Sequence, residues 1–203
     1  MNGLKLFITI PVALSAVLLS SCETTSRTPR GETVYLDSIG GGSRPSGAKT
    51  DNVSYWDGEN ISGKSSIRIS LSEQKAFFYK DEALVGISQI STGREGFDTP
   101  TGSYSILQKS PNHRSNLYGT MVDSSGTVLN DDFDTRKDKL MPGTRFEGAP
   151  MPHFMRVTNG GVGMHAGYLP GFPASHGCIR MPDWMAQNFF NHVSMGTPVK
   201  ITP

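Results

Sequence analysis

The chain lacks an apolar run long enough for a comfortable transmembrane helix. Its longest apolar segment, residues 6–19, is shorter than the roughly 20 residues that such a helix needs. Also missing is an excess of charge of either sign: the formal net charge is +1, and no long run of like charges occurs. Because nucleic-acid binding depends on concentrated positive charge, no nucleic-acid partner is expected.

The residues around this apolar segment have the layout of an export signal. One cation, Lys5, precedes the segment, and small residues follow it up to Cys22. Residues 1–21 are therefore interpreted as a secretory signal and set apart from the fold. The Leu-Ser-Ser-Cys sequence at residues 19–22 resembles the lipobox of bacterial lipoproteins, which implies a lipid on Cys22 and a membrane-anchored protein facing the periplasm. An ordinary cleaved signal and an uncleaved anchor are the alternatives.

Cysteine is scarce, since Cys22 and Cys178 are the only two. If Cys22 carries a lipid, Cys178 has no disulfide partner within the chain. Exported proteins usually keep structural cysteines in pairs, so an unpaired thiol there is often kept for its reactivity. The other explanation is a small buried hydrophobe, because free cysteine packs well in cores. Cysteine usage alone leaves both open.

Apolar residues are also rare between Cys22 and residue 63, where Ser, Thr, Gly, Pro and Arg dominate. So few apolar side chains cannot offset the entropy lost on ordering the backbone. We therefore expect residues 22–63 to form a flexible tether, with one short strand at residues 33–37.

Short strands are predicted after residue 63. Ile67, Ile69 and Leu71 alternate with polar residues, which indicates a strand with one buried face. Further strands are expected at residues 76–80, 83–91, 104–107, 153–158 and 161–165. Residues 110–152 are polar and poorly periodic, and they are predicted to form a long loop that serves as a lid or binding element.

One helix is predicted near the C-terminus. Pro182 suits its first position, and Asp183 suits its first turn. Residues at i, i+4 and i+8 form an apolar stripe, namely Met185, Phe189 and Val193. A last strand follows, and neither internal repeats nor regular alternation of strand and helix occurs. The pattern predicts a mainly β (α+β) domain over residues 64–203.

The segment VGMHAGYLPGFPASHGCIRMP carries the chemistry. His165 ends a predicted strand, and Cys178 follows thirteen positions later after a loop rich in Gly and Pro. A nucleophilic thiol needs a nearby base and backbone N–H groups directed at the oxyanion. Gly177 permits an unusual turn just before Cys178, so the amides of these two residues are the expected oxyanion donors.

This segment resembles the catalytic motif of the L,D-transpeptidases, the YkuD-like family of peptidoglycan enzymes. That motif combines an upstream His, a variable loop and Ser/Thr-His-Gly-Cys. The likeness extends to STG at residues 91–93, TPTGSY at residues 99–104 and FMRVTNGGVGMHAG at residues 154–167. It covers roughly residues 66–201 and implies a β-sandwich with one helix after the cysteine.

The resemblance implies a role for each matching residue. Cys178 would be the nucleophile, His165 the general base, and the carbonyl group of Ala166 the third member of the triad. His176 and Gly177 would border the oxyanion site. Two departures affect the substrate contacts: the loop between His165 and Ser175 is short, and Arg180 stands where other members have Asn.

The remaining assignments keep alternatives. His176 either orients the backbone before the cysteine or contacts substrate, and Arg180 either binds a substrate carboxylate or fixes the loop. Tyr168 lines the substrate groove or is simply exposed, and Ser175 is placed among the substrate-binding residues. The other histidines have no motif support and are interpreted as ordinary: His113, His153 and His192. A zinc site made by His165, His176 and Cys178 lacks close ligand pairs, so no metal is expected.

The implied reaction is acyl transfer without a cofactor. Cys178 would form a thioester with a peptidoglycan peptide stem, release D-alanine and pass the acyl group to an amine, giving a 3→3 cross-link or a protein attached to the wall. Carbapenem-type β-lactams would be covalent inhibitors. The alternatives are an L,D-carboxypeptidase with water as acceptor and a non-catalytic peptidoglycan-binding lipoprotein.

Overall fold

The computed structural model of the chain describes residue 51 and residues 53–203. The expected signal segment, Cys22 and the strand predicted at residues 33–37 lie outside the described residues. Within the described part, eleven strands and one helix are present. Their bounds are β1 Tyr55–Trp56, β2 Ser65–Ser70, β3 Lys75–Lys80, β4 Ala83–Gln89, β5 Gly102–Ser105, β6 Gln108–Val122, β7 Val128–Asp134, β8 Arg145–Arg156, β9 Gly163–Ala166, β10 Ile179–Met181, α1 Asp183–His192 and β11 Pro198–Thr202.

The larger sheet has six strands in the order β1-β4-β3-β2-β11-β5. Strands β2, β3 and β4 form the predicted antiparallel meander. The last strand, β11, lies between β2, to which it is parallel, and β5, to which it is antiparallel. The alternation predicted for β2 is confirmed, because Ile67 and Ile69 are buried while Arg68 is exposed.

Strand β1 corrects the expected boundary between tether and domain. It pairs with β4, and the Trp56 ring lies 5.0 Å from the ring of Phe78 and 5.9 Å from that of Phe189. The folded domain therefore includes residue 55, upstream of the boundary expected at residue 64. The neighbours of Trp56 in the sequence are mostly polar, so local composition did not reveal a strand that is held by distant aromatic residues.

The second sheet has five strands in the order β10-β9-β8-β6-β7. The prediction of a long loop over residues 110–152 is wrong, because β6, β7 and much of β8 occupy this stretch. Register shifts interrupt β6 between Arg114 and Gly119 and again near Met121. Such irregularities break the alternation of apolar and polar residues on which strand prediction relies.

The predicted helix is confirmed as α1, with Pro182 at the N-cap, one position before the place expected for it. Its apolar stripe faces the core, where Met185 and Phe189 are fully buried and Val193 is nearly so. The Phe189 ring makes an edge contact with Phe78 of the larger sheet at 4.9 Å. The helix therefore packs on the same core as both sheets, and the mainly β prediction is confirmed.

Strands β9 and β10 are parallel, with Met164 paired to Ile179 and His165 paired to Arg180. Met164 and Ile179 belong to the core shared with the helix. Because successive side chains of a strand point to opposite faces, His165 and Arg180 lie on the other face of the sheet. This second face carries the residues of interest for function. No helix within residue 51 and residues 53–203 has the length and apolarity needed to cross a membrane.

We predict that Phe189→Ala lowers the free energy of unfolding by about 3–5 kcal/mol, because it removes a fully buried aromatic ring. Urea denaturation measures the change. The matched control is Trp184→Ala in the same helix, since Trp184 is 45 % exposed and surface changes usually stay within about 0.5 kcal/mol. Equal losses in the two variants would contradict this account of the core.

Candidate active site

Cys178 stands immediately before β10, on the face of the five-stranded sheet that carries His165. Since Ile179 pairs with Met164, the preceding residue, Cys178, falls beside Gly163. Its sulfur lies 3.9 Å from the carbonyl oxygen of Gly161. His165 is the diagonal neighbour of Cys178 across the β9–β10 pair, and diagonal neighbours in a sheet are within reach of long side chains.

His165 is held in one orientation. Its Nδ1 lies 2.7 Å from the carbonyl oxygen of Ala166, the group that the family resemblance assigns to this position. Because a carbonyl only accepts hydrogen bonds, Nδ1 carries the proton and Nε2 keeps its lone pair. Burial, with a smaller contribution from the Arg180 charge, lowers the pKa of His165 to about 4. The imidazole is therefore neutral at pH 7 and able to accept a proton.

Cys178 is also neutral in the resting site. Burial raises the pKa of its thiol, and a hydrogen bond from the Gly163 backbone and the charges of Arg180 and Arg156 only partly oppose this effect. The described residues contain no disulfide partner for Cys178. A thiol beside a neutral imidazole can pass its proton during attack on a carbonyl, rather than resting as a thiolate.

The turn before Cys178 is built by Ser175 and Gly177. Gly177 has a φ of +108°, a conformation that glycine adopts without a steric cost. The Ser175 hydroxyl donates to the carbonyl of Cys178 at 2.5 Å and accepts from the Gly177 N–H at 3.0 Å. This geometry corrects one expectation, because the Gly177 amide donates to Ser175 and is not directed at an oxyanion. The buried Ser175 hydroxyl shapes the turn, and its expected role in substrate binding stays a prediction. Within the described chain, no backbone hydrogen bond of the Cys178 N–H is present, so of these two amides it is the one left to donate to a ligand.

Thr99 connects this turn to the TPTG segment. Its hydroxyl donates to the Gly177 carbonyl at 2.8 Å and accepts from the Gly93 N–H at 2.9 Å. Gly93 has to be a glycine, because a Cβ there would lie 1.9 Å from the carbonyl oxygen of Phe97. Sequence reasoning noted both segments as family matches without assigning them a role.

His176 is packed on all sides. Its ring stacks on Tyr118 at 4.2 Å and meets the edge of Phe97 at 4.7 Å. The Arg94 guanidinium lies 2.8 Å from its Nε2. Burial first and Arg94 second lower the pKa of His176 to about 4, and they outweigh the opposing carboxylate of Asp132. A neutral histidine fixed in this way favours the alternative in which His176 orients the turn.

Arg180 is held by both its main chain and its side chain. The main chain of Arg180 exchanges hydrogen bonds with Ser91 at 3.0 and 2.9 Å, and its side chain packs so closely over Gly167 that a Cβ there would lie 3.1 Å from its Cγ. Only 7 % of Arg180 is exposed, which supports a loop-fixing role. Tyr168 is half-buried in the connection after β9.

The structure adds residues of β6 and β8 to this face that sequence reasoning missed. The His113 ring, expected to be ordinary, stacks on Phe154 at 4.2 Å. Nε of Arg156 donates to the side-chain carbonyl of Gln108 at 2.9 Å. Phe154 and Arg156 lie in the family match at residues 154–167, where sequence reasoning gave them no role, and His113 and Gln108 lie in or near the stretch interpreted as a loop. Within residue 51 and residues 53–203, no group of three His, Cys, Asp or Glu side chains is arranged to hold a metal ion.

We predict that Thr99→Val destabilises the protein by about 2–4 kcal/mol, because it leaves a buried N–H and a buried carbonyl without partners. Denaturant unfolding measures the change. Thr101→Val, at an exposed position nearby, is the matched control, and similar behaviour of the two variants would contradict the prediction.

Three comparisons with solved structures agree with this fold. The L,D-transpeptidase from Mycobacterium smegmatis aligns with a TM-score of 0.52 at 23 % identity, covering 69 % of this chain and 59 % of that one. L,D-transpeptidase 1 of Mycobacterium tuberculosis aligns with a TM-score of 0.50 at 21 % identity, covering 69 % of this chain and 62 % of that one. An L,D-transpeptidase in complex with imipenem aligns with a TM-score of 0.50 at 21 % identity, covering 68 % of this chain and 58 % of that one.

The chain thus spans less than two thirds of the length of the chains in these three structures. No curated protein sequence matches it. The family model of the L,D-transpeptidase catalytic domain, however, matches residues 64–201, which include the paired β9 and β10, the turn at Gly177 and the helix behind it. The chain belongs to the YkuD family of L,D-transpeptidase catalytic domains.

Proposed function

We propose that this protein is a peptidoglycan L,D-transpeptidase with Cys178 as nucleophile and His165 as general base. The observation that carries the proposal is the placement of a neutral, oriented imidazole and a half-buried thiol on one face of the sheet. The Ala166 carbonyl occupies Nδ1, which leaves Nε2 for the proton of the thiol. Membership of the family supports the same reaction class.

The first half of the reaction is acylation. As the sulfur of Cys178 bonds to the carbonyl carbon on the L-centre side of an L,D peptide bond, its proton passes to Nε2 of His165. The Cys178 N–H then donates to the oxyanion. Collapse of the tetrahedral intermediate breaks the C–N bond, and the imidazolium returns the proton to the nitrogen of the leaving D-alanine.

The second half transfers the acyl group. An amine from a neighbouring stem or protein attacks the thioester, His165 takes up the proton that the amine loses, and the leaving sulfur recovers a proton from His165. Water in place of the amine gives an L,D-carboxypeptidase with the same residues. A purely binding role is less favoured, because both residues of the catalytic pair are retained in an arrangement suited to catalysis.

Purified protein incubated with tetrapeptide muropeptides tests the reaction, with mass spectrometry of the products. Cross-linked dimers together with free D-alanine support transpeptidation, tripeptides alone support the carboxypeptidase, and unchanged substrate contradicts both.

The solved complex of a related L,D-transpeptidase with imipenem supports the further proposal that a carbapenem acylates Cys178. An adduct of the expected mass on wild type and none on Cys178→Ala would agree with it.

For the catalytic pair we predict that Cys178→Ala abolishes turnover and that His165→Ala lowers kcat/KM by about 10²–10⁴-fold. His192→Ala is the control, because that ring contacts Trp56 and Glu59 away from this face.

Since burial lowers the pKa of His165 from 6.5 to about 4, His165 stays an active base down to pH values near 4. The acid limb of kcat/KM should therefore lie near pH 4, and a limb near 6.5 would contradict the assignment.

We further propose that Cys22 carries a lipid and that the residues between it and β1 act as a spacer towards the cell wall. Cys22→Ala should release the protein from the membrane fraction of cells, because the lipid supplies the anchor. The same variant should be as active as wild type on soluble muropeptides, since Cys22 takes no part in the chemical step. Fractionation and the muropeptide assay measure the two effects, and a variant that stays in the membrane fraction would refute the lipoprotein proposal.

A further inference from the structure

Arg156 occupies a distinctive position on the face that carries Cys178. It pairs with Gln108 on one side and with Gly163 on the other, and Gly163 lies beside Cys178 in the next strand. Gln108, Arg156 and Gly163 form one row across three neighbouring strands, and Cys178, immediately before β10, continues the row. Paired residues of adjacent strands direct their side chains to the same face, and Gly163 contributes no side chain to the space between Arg156 and Cys178.

The side chains of Arg156 and Cys178 both lie close to Gly161. A Cβ placed on Gly161 would lie 3.8 Å from Nη1 of Arg156, and the carbonyl oxygen of the same residue lies 3.9 Å from the sulfur of Cys178. Both functional groups therefore border one glycine. The Arg156 charge also acts on the thiol, whose pKa it helps to lower against the stronger effect of burial.

The guanidinium of Arg156 is oriented by its neighbours. Its Nε donates to Gln108 at 2.9 Å, and its centre lies 5.8 Å from the centroid of the Phe154 ring. That ring also covers Gly163, since a Cβ there would lie 2.5 Å from it. The Arg156 guanidinium is therefore a half-buried cation beside the apolar Phe154 ring. An ion pair formed there is stronger than one in open solvent.

The other arginines near the site are engaged differently. Arg180 is almost fully buried under the β9 connection. Arg94 bonds to His176, and Arg136 pairs with Asp134 at 2.9 Å. Among residues 53–203, Arg156 makes one side-chain hydrogen bond, from Nε to Gln108, which leaves its two terminal nitrogens for a ligand. A guanidinium binds a carboxylate best through such a fork.

We propose that Arg156 binds the terminal carboxylate of the residue that leaves during acylation, so that it selects stems ending one residue after the scissile bond. This inference rests on the proposed function. One residue of extended chain spans about 3.3–3.6 Å, so a carboxylate one residue beyond the attacked carbonyl has to lie close to Cys178. Arg156 is thus a substrate-positioning residue, and Gln108 positions Arg156.

The test compares a soluble tetrapeptide stem ending in D-alanine with the same peptide ending in D-alaninamide, using the full chain. Wild type should favour the acid over the amide by about 10- to 100-fold in kcat/KM, the range expected for one charge-assisted contact. Arg156→Gln should remove this preference by slowing the acid far more than the amide. Arg156→Lys keeps the charge but loses the fork and should retain part of the preference, and Gln108→Ala should weaken it to a smaller degree.

The matched control is Arg145→Gln, on the same strand, whose guanidinium pairs with Glu147 at an exposed position. It should keep the wild-type preference. An equal loss on acid and amide in Arg156→Gln would show that Arg156 acts only on the thiol and would overturn the proposal. An unchanged preference in Arg156→Gln, in a variant that melts like wild type, would overturn it as well.

Binding separates this inference from the proposed reaction. Calorimetry with the Cys178→Ala protein should show tighter binding of the acid than of the amide, and adding Arg156→Gln should abolish the difference. If wild type turns over neither peptide, the proposed function fails, and the calorimetric comparison still decides whether Arg156 recognises the carboxylate. Equal binding of acid and amide to Cys178→Ala refutes that recognition.

Discussion

The parallel pairing of β9 with β10 is the constraint on which the active-site face depends. Parallel neighbours need a crossover of about a dozen residues, usually a helix, but here residues 167–178 cross without one. Backbone hydrogen bonds from Ala174 and Ser175 to Thr92, and the exchange between Ser91 and Arg180, tie this connection to the segment after β4. The register that results puts His165 beside Arg180, and Cys178 therefore falls diagonally opposite His165.

Burial determines the protonation of the site. The pKa of His165 is lowered and that of Cys178 is raised, in both cases chiefly by desolvation, so each group is uncharged near neutrality. An uncharged pair is cheaper to bury than an ion pair. The proposed attack then creates charge only as the tetrahedral intermediate forms, and the Cys178 N–H stabilises its oxyanion. His176, neutral for the same reason, adds no charge to the turn before Cys178.

Local sequence patterns predicted the parts whose periodicity is regular. The alternation in β2, the meander that follows it and the stripe of α1 each reflect one buried face, and such patterns survive in any sequence that folds this way. The predictions are wrong for segments whose structure depends on contacts with residues distant in the sequence. Strand β6 has register shifts and exposed residues on both faces, and β1 depends on the contact of Trp56 with Phe78.

By itself the sequence identified the family, because a histidine, a conformationally permissive glycine and an unpaired cysteine lie in one segment that resembles the motif of the L,D-transpeptidases. It also determined the helix behind the cysteine and the mainly β architecture. Only the tertiary structure decided which backbone amide remains for an oxyanion, because the Ser175 hydroxyl takes the Gly177 N–H. It alone brought Arg156 and Gln108 into the row of Cys178, since strand register, which no local pattern encodes across so many residues, sets which side chains meet.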